Sequence, residues 1–238
     1  MKAMLFAAGL GTRLKPFTDH HPKALAEVNG KTLLEHNLRY LQAFGIEDVI
    51  INVHHFADQI EEVLNDHGGF GSWVTISDER DEVLETGGGL KRAAHYFEGE
   101  EDFVVMNVDV LTKLDLGKMI DAHRQSGALA TLAVMQRPSS RQLLFDEELV
   151  LCGWENVQTR QQRLSRNSDI MEQRAFSGVQ VLSAALLQSI HQQGKFSIID
   201  VYLEAAKTQV IKGFDHSGNV FLDVGKPESL EQAALLFS

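Results

Sequence analysis

The groups best suited to chemistry gather near the start of the chain. Gly9-Leu10-Gly11-Thr12-Arg13 follows the apolar run Met4 to Ala8, and Lys23 follows Pro22. A run of that length reads as a buried strand, and the glycines break it. A glycine turn directly after a buried strand leaves successive backbone N–H groups bare. That arrangement suits phosphate, because glycine lets a ligand approach the backbone and the N–H groups form an anion nest. Arg13 offers a planar fork of donors and Lys23 a compact positive charge. Pro22 fixes its own φ and drives His21 towards an extended conformation, which restrains Lys23. Taken alone, the glycine turn reads equally as a tight loop followed by surface charges. It is neither a P-loop nor a dinucleotide fingerprint: G-x-x-x-x-G-K-[ST] is absent, and Leu14 stands where a third glycine is needed.

Two carboxylates complement these cations. Asp109 follows the apolar run DFVVMNV, and Asp223 ends VFLD. Either one alone reads as a cap for the next turn or helix. Two aspartates at two strand ends suit a magnesium ion, which takes one or two carboxylates together with phosphate oxygens and water. More than a hundred residues separate them, so their convergence is not visible in the sequence. His20-His21 and His54-His55 lack a third ligand at metal spacing and read as loop residues, with His54 and His55 expected at the nucleotide pocket. Cys152, the single cysteine, lies between Leu151 and Gly153 in an apolar run and reads as core.

The elements that position these groups follow from periodicity. Helices are expected over 32–44, 57–65, 90–96, 114–125, 184–191, 198–207 and 227–236. Strands are expected over 4–8, 48–53, 73–77, 102–108, 129–135 and 175–182, and near Val210 and Val220. Residues 138–174 show no strong period and read as strands and loops on the sugar side. Strands alternating with helices imply an α/β fold, Rossmann-like, with a mostly parallel mixed sheet flanked by helices. Ligands of such sheets sit outside the carboxyl ends of the strands, where Gly9 and Asp109 both fall. The 238 residues, 44% hydrophobic and 23% charged, are ample for a core. No apolar stretch is long enough to span a membrane, and no signal peptide is evident, so a cytoplasmic protein is expected. A net charge of −11 argues against nucleic acid or an anionic membrane as partner.

The motif G-x-G-T-R-x-x-P-x-T with Pro22-Lys23 resembles the signature of the sugar-1-phosphate nucleotidyltransferases. So do, in order and spacing, Glu85-Thr86-Gly87-Gly88-Gly89, Asn107-Val108-Asp109, Phe176-Ser177-Gly178 and Leu222-Asp223-Val224-Gly225. The resemblance covers essentially the whole chain and is greatest to the short N-acetylmuramate-1-phosphate uridylyltransferases. It implies one nucleotidyltransferase domain over 1–238, of the GT-A-like kind, with no C-terminal β-helix domain, acting as a monomer or weak dimer. Ala8, Gly9, Gly11 and Thr12 would cradle the nucleotide, Arg13 would contact the β- and γ-phosphates and Lys23 the α-phosphate. Asp109 and Asp223 would hold Mg2+. Glu85, Thr86, Gly87 and Gly88 would border base and sugar, and Asn107, Ser177 and Gly178 would complete the substrate site. The implied reaction joins a nucleoside triphosphate, UTP foremost, to a sugar 1-phosphate, N-acetylmuramate 1-phosphate foremost. The alternatives are a mannose-1-phosphate guanylyltransferase and a nucleotide-binding regulator without turnover. Val108 replaces the usual glycine before the first metal aspartate, and the usual Glu-Lys pair before F-S-G is missing, with Arg174 as a candidate substitute.

Overall fold

A computed structural model describes residues 1–237. Its strands are β1 (Ala3–Phe6), β2 (Glu27–Val28), β3 (Lys31–Thr32), β4 (Asp48–Val53), β5 (Trp73–Asp78), β6 (Asp102–Asn107), β7 (Val110–Thr112), β8 (Ala130–Met135), β9 (Arg141–Phe145), β10 (Leu151–Asn156), β11 (Gln161–Leu164), β12 (Glu172–Ser183), β13 (Ile211–Asp215) and β14 (Phe221–Asp223). Its helices are α1 (Leu33–Gln42), α2 (Ala57–Asp66), α3 (Glu85–Arg92), α4 (Leu116–Ser126), α5 (Ala185–Gln188), α6 (Ile198–Ala205) and α7 (Pro227–Leu236).

Ten strands form one mixed sheet. Its first half, β5-β4-β1-β6, is parallel, with Leu5 of β1 opposite Ile51 of β4 and Met106 of β6. Of these, β4, β1 and β6 read as nearly unbroken apolar runs because helices cover both faces, whereas β5 at the edge alternates. Alternate residues serve opposite cores: Leu5, Ile51 and Met106 pack with Leu34 and Leu38 of α1, while Met4, Ile50 and Val105 pack with Leu90 of α3 and Tyr202 of α6. The Thr32 side chain caps α1 by accepting from Glu35 N at 3.0 Å. Beyond β6 the sheet turns antiparallel. β12 runs antiparallel to β6, β8 and β9, and β9-β10-β11 form a ribbon from the stretch without periodicity.

Two expectations need correction. The helix expected over 90–96 begins instead at Glu85 and ends at Arg92, with a 3-10 turn, Ala94–Phe97, after it. Gly87, Gly88 and Gly89 therefore lie inside a helix. Low glycine propensity is overridden there by tertiary packing, since all three are buried. The helix expected over 184–191 shrinks to α5, and Ser189 Oγ donates back to Leu186 O at 2.7 Å where it stops.

The small pair β7-β14 matters most for chemistry. Asp223 stands opposite Val110, and Val224 N donates to Asp109 O at 2.8 Å. That pairing closes the gap of more than a hundred residues between the two aspartates. Both now lie beside the carboxyl end of β6.

Candidate active site

A cleft of about 410 Å3 opens at the carboxyl edge of the parallel strands. One wall is Phe6, Ala7, Ala8, Gly9 and Asn52, from the ends of β1 and β4. Asn107, Val108 and Asp109 after β6 form its floor with Lys23, and Val83, Glu85, Thr86, Arg141 and Ser197 line the rest. Of the residues expected from sequence, Ala8, Gly9, Lys23, Glu85, Thr86, Asn107 and Asp109 thus border one cavity.

Cations and carboxylates pair across this edge. Lys23 Nζ donates to Asp109 Oδ2, with the lysine side chain 9% exposed and the aspartate 22%. The lysine is held there by its surroundings: Pro22 precedes it in extended conformation, and its stem packs on Gly11. Gly11 has φ +61°, and a Cβ on it would come 2.8 Å from Thr18 Cγ2 and 3.1 Å from Lys23 Cβ. Arg13 Nη2 lies 3.8 Å from Asp223 Oδ2, both side chains about half exposed. Gly225 makes room for that pair, since a Cβ there would sit 2.7 Å from both Arg13 Nη2 and Asp223 Oδ1. The donors of Asp109 and Asp223 are hard carboxylate oxygens at adjacent backbone positions, a set that fits Mg2+ shared with phosphate oxygens.

Other expected residues lie outside the cleft wall. Arg13, Thr12 and Asp223 are exposed beside it. The amides of Gly87 and Gly88 both donate to Phe196 O, at 2.9 and 3.3 Å. A Cβ on Gly87 would strike the Phe196 ring at 2.4 Å, and one on Gly88 the Gly194 carbonyl at 2.3 Å, so these glycines dock α3 against the segment leading to α6. Thr86 joins them, accepting from Ile198 N at 3.0 Å. Ser177 is buried and hydrogen-bonded to His216 Nε2 at 2.8 Å. Gly178, at φ +72°, sits where β12 bends, and a Cβ there would lie 2.7 Å from Asn107 Nδ2. Its role is to leave Asn107 its place. Val108 is 4% exposed and its φ is not positive, so a β-branched residue fits without strain.

Sequence reasoning missed several participants. Asn52 is the one amide in the apolar run DVIINV, and that polarity was its signal. Arg141 and Ser197 carried none. His54 and His55 do not border the cleft: His54 Nδ1 bonds Glu79 O at 2.6 Å and His55 packs on Phe56. Arg174 is held by Glu172 and, at 3.4 Å, by Asp215. A different arginine, Arg137, lies nearer the site. It donates to Phe176 O at 2.9 Å and stacks on Phe221 at 4.9 Å, two residues before Asp223. Burial pushes its pKa down and the Asp223 charge opposes that shift.

Comparison with known proteins agrees with this geometry. The nucleotidyl transferase profile matches residues 2–145. An N-acetylmuramate alpha-1-phosphate uridylyltransferase of Caulobacter vibrioides is 45% identical over 122 residues, 50% of this chain and 50% of that protein. One of Neisseria meningitidis is 41% identical over 48% of this chain and 49% of its own. The aligned segment thus spans about half the length of these two relatives. A mannose-1-phosphate guanyltransferase of Yarrowia lipolytica is 24% identical, aligned over 100% of this chain and 64% of its own. Among solved structures, HddC from Yersinia pseudotuberculosis complexed with GMP-PN superposes with a TM-score of 0.78 at 25% identity, covering 100% of this chain and 99% of that one. With the profile matched over more than half of its length and the fold shared end to end, the chain belongs to the nucleotidyl transferase family.

Proposed function

We propose that the protein transfers a uridylyl group from UTP to N-acetylmuramate 1-phosphate, releasing pyrophosphate, and that it does so in the cytoplasm. The observation that carries the reaction class is the double pairing at the sheet edge, Lys23 with Asp109 and Arg13 with Asp223, beside the glycine loop. The choice of base and sugar is supported by the relatives at 41% and 45% identity.

An oxygen of the sugar phosphate attacks the α-phosphorus of the triphosphate, a new P–O bond forms, and the bond to the β-phosphate oxygen breaks with pyrophosphate leaving in line. The sugar phosphate is already an anion at neutral pH, so no general base is required. The chain's work is to hold two anions together and to balance charge as it shifts. The glycine loop from Ala8 to Thr12 presents backbone N–H groups to the triphosphate. Arg13 forks onto the β- and γ-phosphates, and Lys23 neutralises the α-phosphate. Asp109 and Asp223 would hold Mg2+, which supplies Lewis-acid neutralisation of phosphate charge when bound. Glu85, Thr86 and Asn107 border base and sugar. Val108 fills the wall beneath them.

A guanylyl donor is the second reading, supported by the alignments over the whole of this chain with the Yarrowia guanyltransferase and with HddC complexed with GMP-PN. A matrix of UTP, GTP, CTP, ATP and dTTP against N-acetylmuramate, mannose, glucose and N-acetylglucosamine 1-phosphates, scored by pyrophosphate release, separates the two. The uridylyl reading expects the UTP and N-acetylmuramate pair to be fastest. GTP with mannose 1-phosphate fastest would replace it.

A further inference from the structure

We infer that Glu79 is a positioning residue for the nucleotide, tying the glycine loop to the start of α3 so that the two walls of the cleft keep their spacing. This inference rests on the nucleotidyl-transfer reading above. Glu79 follows β5 and is fully buried. Its Oε1 accepts from Asn52 Nδ2 at 2.8 Å, and Asn52 Oδ1 in turn accepts from Ala7 N at 2.8 Å. Its Oε2 accepts from Leu84 N at 3.3 Å, immediately before α3. Ala7 and Asn52 line one side of the cleft, and Val83, Glu85 and Thr86 line another. A single carboxylate thus connects both.

Chemistry explains why the residue is glutamate. The Ala7 amide can only donate, which turns Asn52 Oδ1 towards it and leaves Asn52 Nδ2 to find an acceptor. Leu84 N needs an acceptor as well. A carboxylate offers an acceptor oxygen to each of them; glutamine would turn an NH2 towards one of the donors, and an apolar side chain would leave both unpaired. The carboxylate is kept in the interior although no cation lies within ion-pair distance of it among the described residues. Arg92, whose charge acts on it from a distance, is bonded to Asp81 instead. α3 is cut to fit this pair: a Cβ on Gly89 would lie 2.7 Å from Glu79 Oε1 and 2.9 Å from Asn52 Nδ2. The third glycine of ETGGG is therefore explained by Glu79, which lies outside the motif.

The test is steady-state kinetics on the full chain for wild type, Glu79→Gln, Glu79→Ala, Asn52→Leu and the Glu79→Ala/Asn52→Leu double variant, with circular dichroism to confirm folding. Glu79→Ala, which leaves both donors unpaired, is expected to raise KM for UTP roughly tenfold or more, with KM for the sugar phosphate within about twofold. Glu79→Gln, which keeps one acceptor and the volume, should fall between. Asn52→Leu should add little on top of Glu79→Ala, because both break the same chain of bonds. Parallel rises in both KM values, additive effects, or an unchanged KM for UTP in Glu79→Gln would overturn the inference. If Glu79→Ala does not fold, Glu79→Gln and Asn52→Leu carry the comparison. Wild type that releases no pyrophosphate with any pair would defeat the reaction and leave this inference to calorimetric UTP binding by the same variants. There, roughly tenfold weaker binding by Glu79→Ala, or a smaller loss by Glu79→Gln where the alanine variant does not fold, supports it. Unchanged binding by Glu79→Gln overturns it.

Discussion

Asp109 and Asp223 share a proposed role but not an environment, and substitution should separate the two properties. Asp109 is partnered by a nearly buried lysine, whereas Asp223 faces an exposed arginine. Both Asp109→Asn and Asp223→Asn are expected to abolish turnover, since on the proposed reading each removes a charge that would hold Mg2+. Only Asp109→Asn should also cost stability, up to about 3 kcal/mol, because Lys23 would be left buried without its counter-charge. Asp223→Asn should stay within about 0.5 kcal/mol of wild type. Urea unfolding beside pyrophosphate assays reads both effects, and near wild-type activity at limiting magnesium in either variant would remove the shared metal site. Arg13→Lys keeps the charge and loses the fork, so triphosphate use should weaken markedly. Lys23→Ala should lower kcat more than it raises KM for the nucleotide, because charge is redistributed at the α-phosphorus during transfer. A raised KM with unchanged kcat would assign Lys23 to ground-state binding instead.

At the scale of elements, glycines mark where the sequence was legible and where it was not. The turn at Gly9 and Gly11 was readable because a loop after a buried strand is a local matter, and the carboxyl edge of the sheet followed from strand alternation. The glycines of α3 were misplaced because their reason is distant: Phe196 and Gly194 lie more than a hundred residues away in sequence, and Glu79 is not part of the motif. The same holds for Asp223, whose approach to Asp109 depends on the three-residue pairing of β7 with β14, too short to announce itself by periodicity. The stretch over 138–174 was legible only as strands and loops, without bounds, because β11 is exposed along its length and β9 and β10 bury consecutive rather than alternate residues. Two alanine substitutions test this division. Gly87→Ala forces a methyl into Phe196 and should cost roughly 1–3 kcal/mol of stability. Gly9→Ala meets nothing within 4 Å, so thermal unfolding should be unchanged while KM for the nucleotide rises, since on the proposed reading the methyl would lie where the triphosphate approaches. A stability loss for Gly9→Ala with normal kinetics would make that turn structural.

Over the whole molecule, two buried histidines set an acid limit on stability. His123 is bonded to Thr131 Oγ1 at 2.9 Å and His216 to Ser177 Oγ at 2.8 Å, and burial is the chief cause that holds both below the ordinary histidine pKa. The unfolded chain therefore binds more protons than the folded one from about pH 6.5 down to the folded values. Stability contributed by these groups is present above about pH 6.5 and is lost as pH falls through that window. Tm should drop between about pH 7 and about pH 5.5, and the drop should be shallower in His216→Gln. An identical slope in that variant would place the acid limit elsewhere. No helix among the described residues is long and apolar enough to cross a membrane. The proposed reaction is the transfer of uridylate to an acidic amino sugar phosphate at the sheet edge carrying Lys23, Asp109, Arg13 and Asp223. Its most direct test is pyrophosphate release by the wild-type chain with UTP, N-acetylmuramate 1-phosphate and Mg2+. Magnesium-dependent release faster than with any other pair, and abolished in Asp109→Asn, is the predicted result. Nucleotide binding without pyrophosphate from any triphosphate and sugar phosphate would contradict it and make the chain a nucleotide sensor.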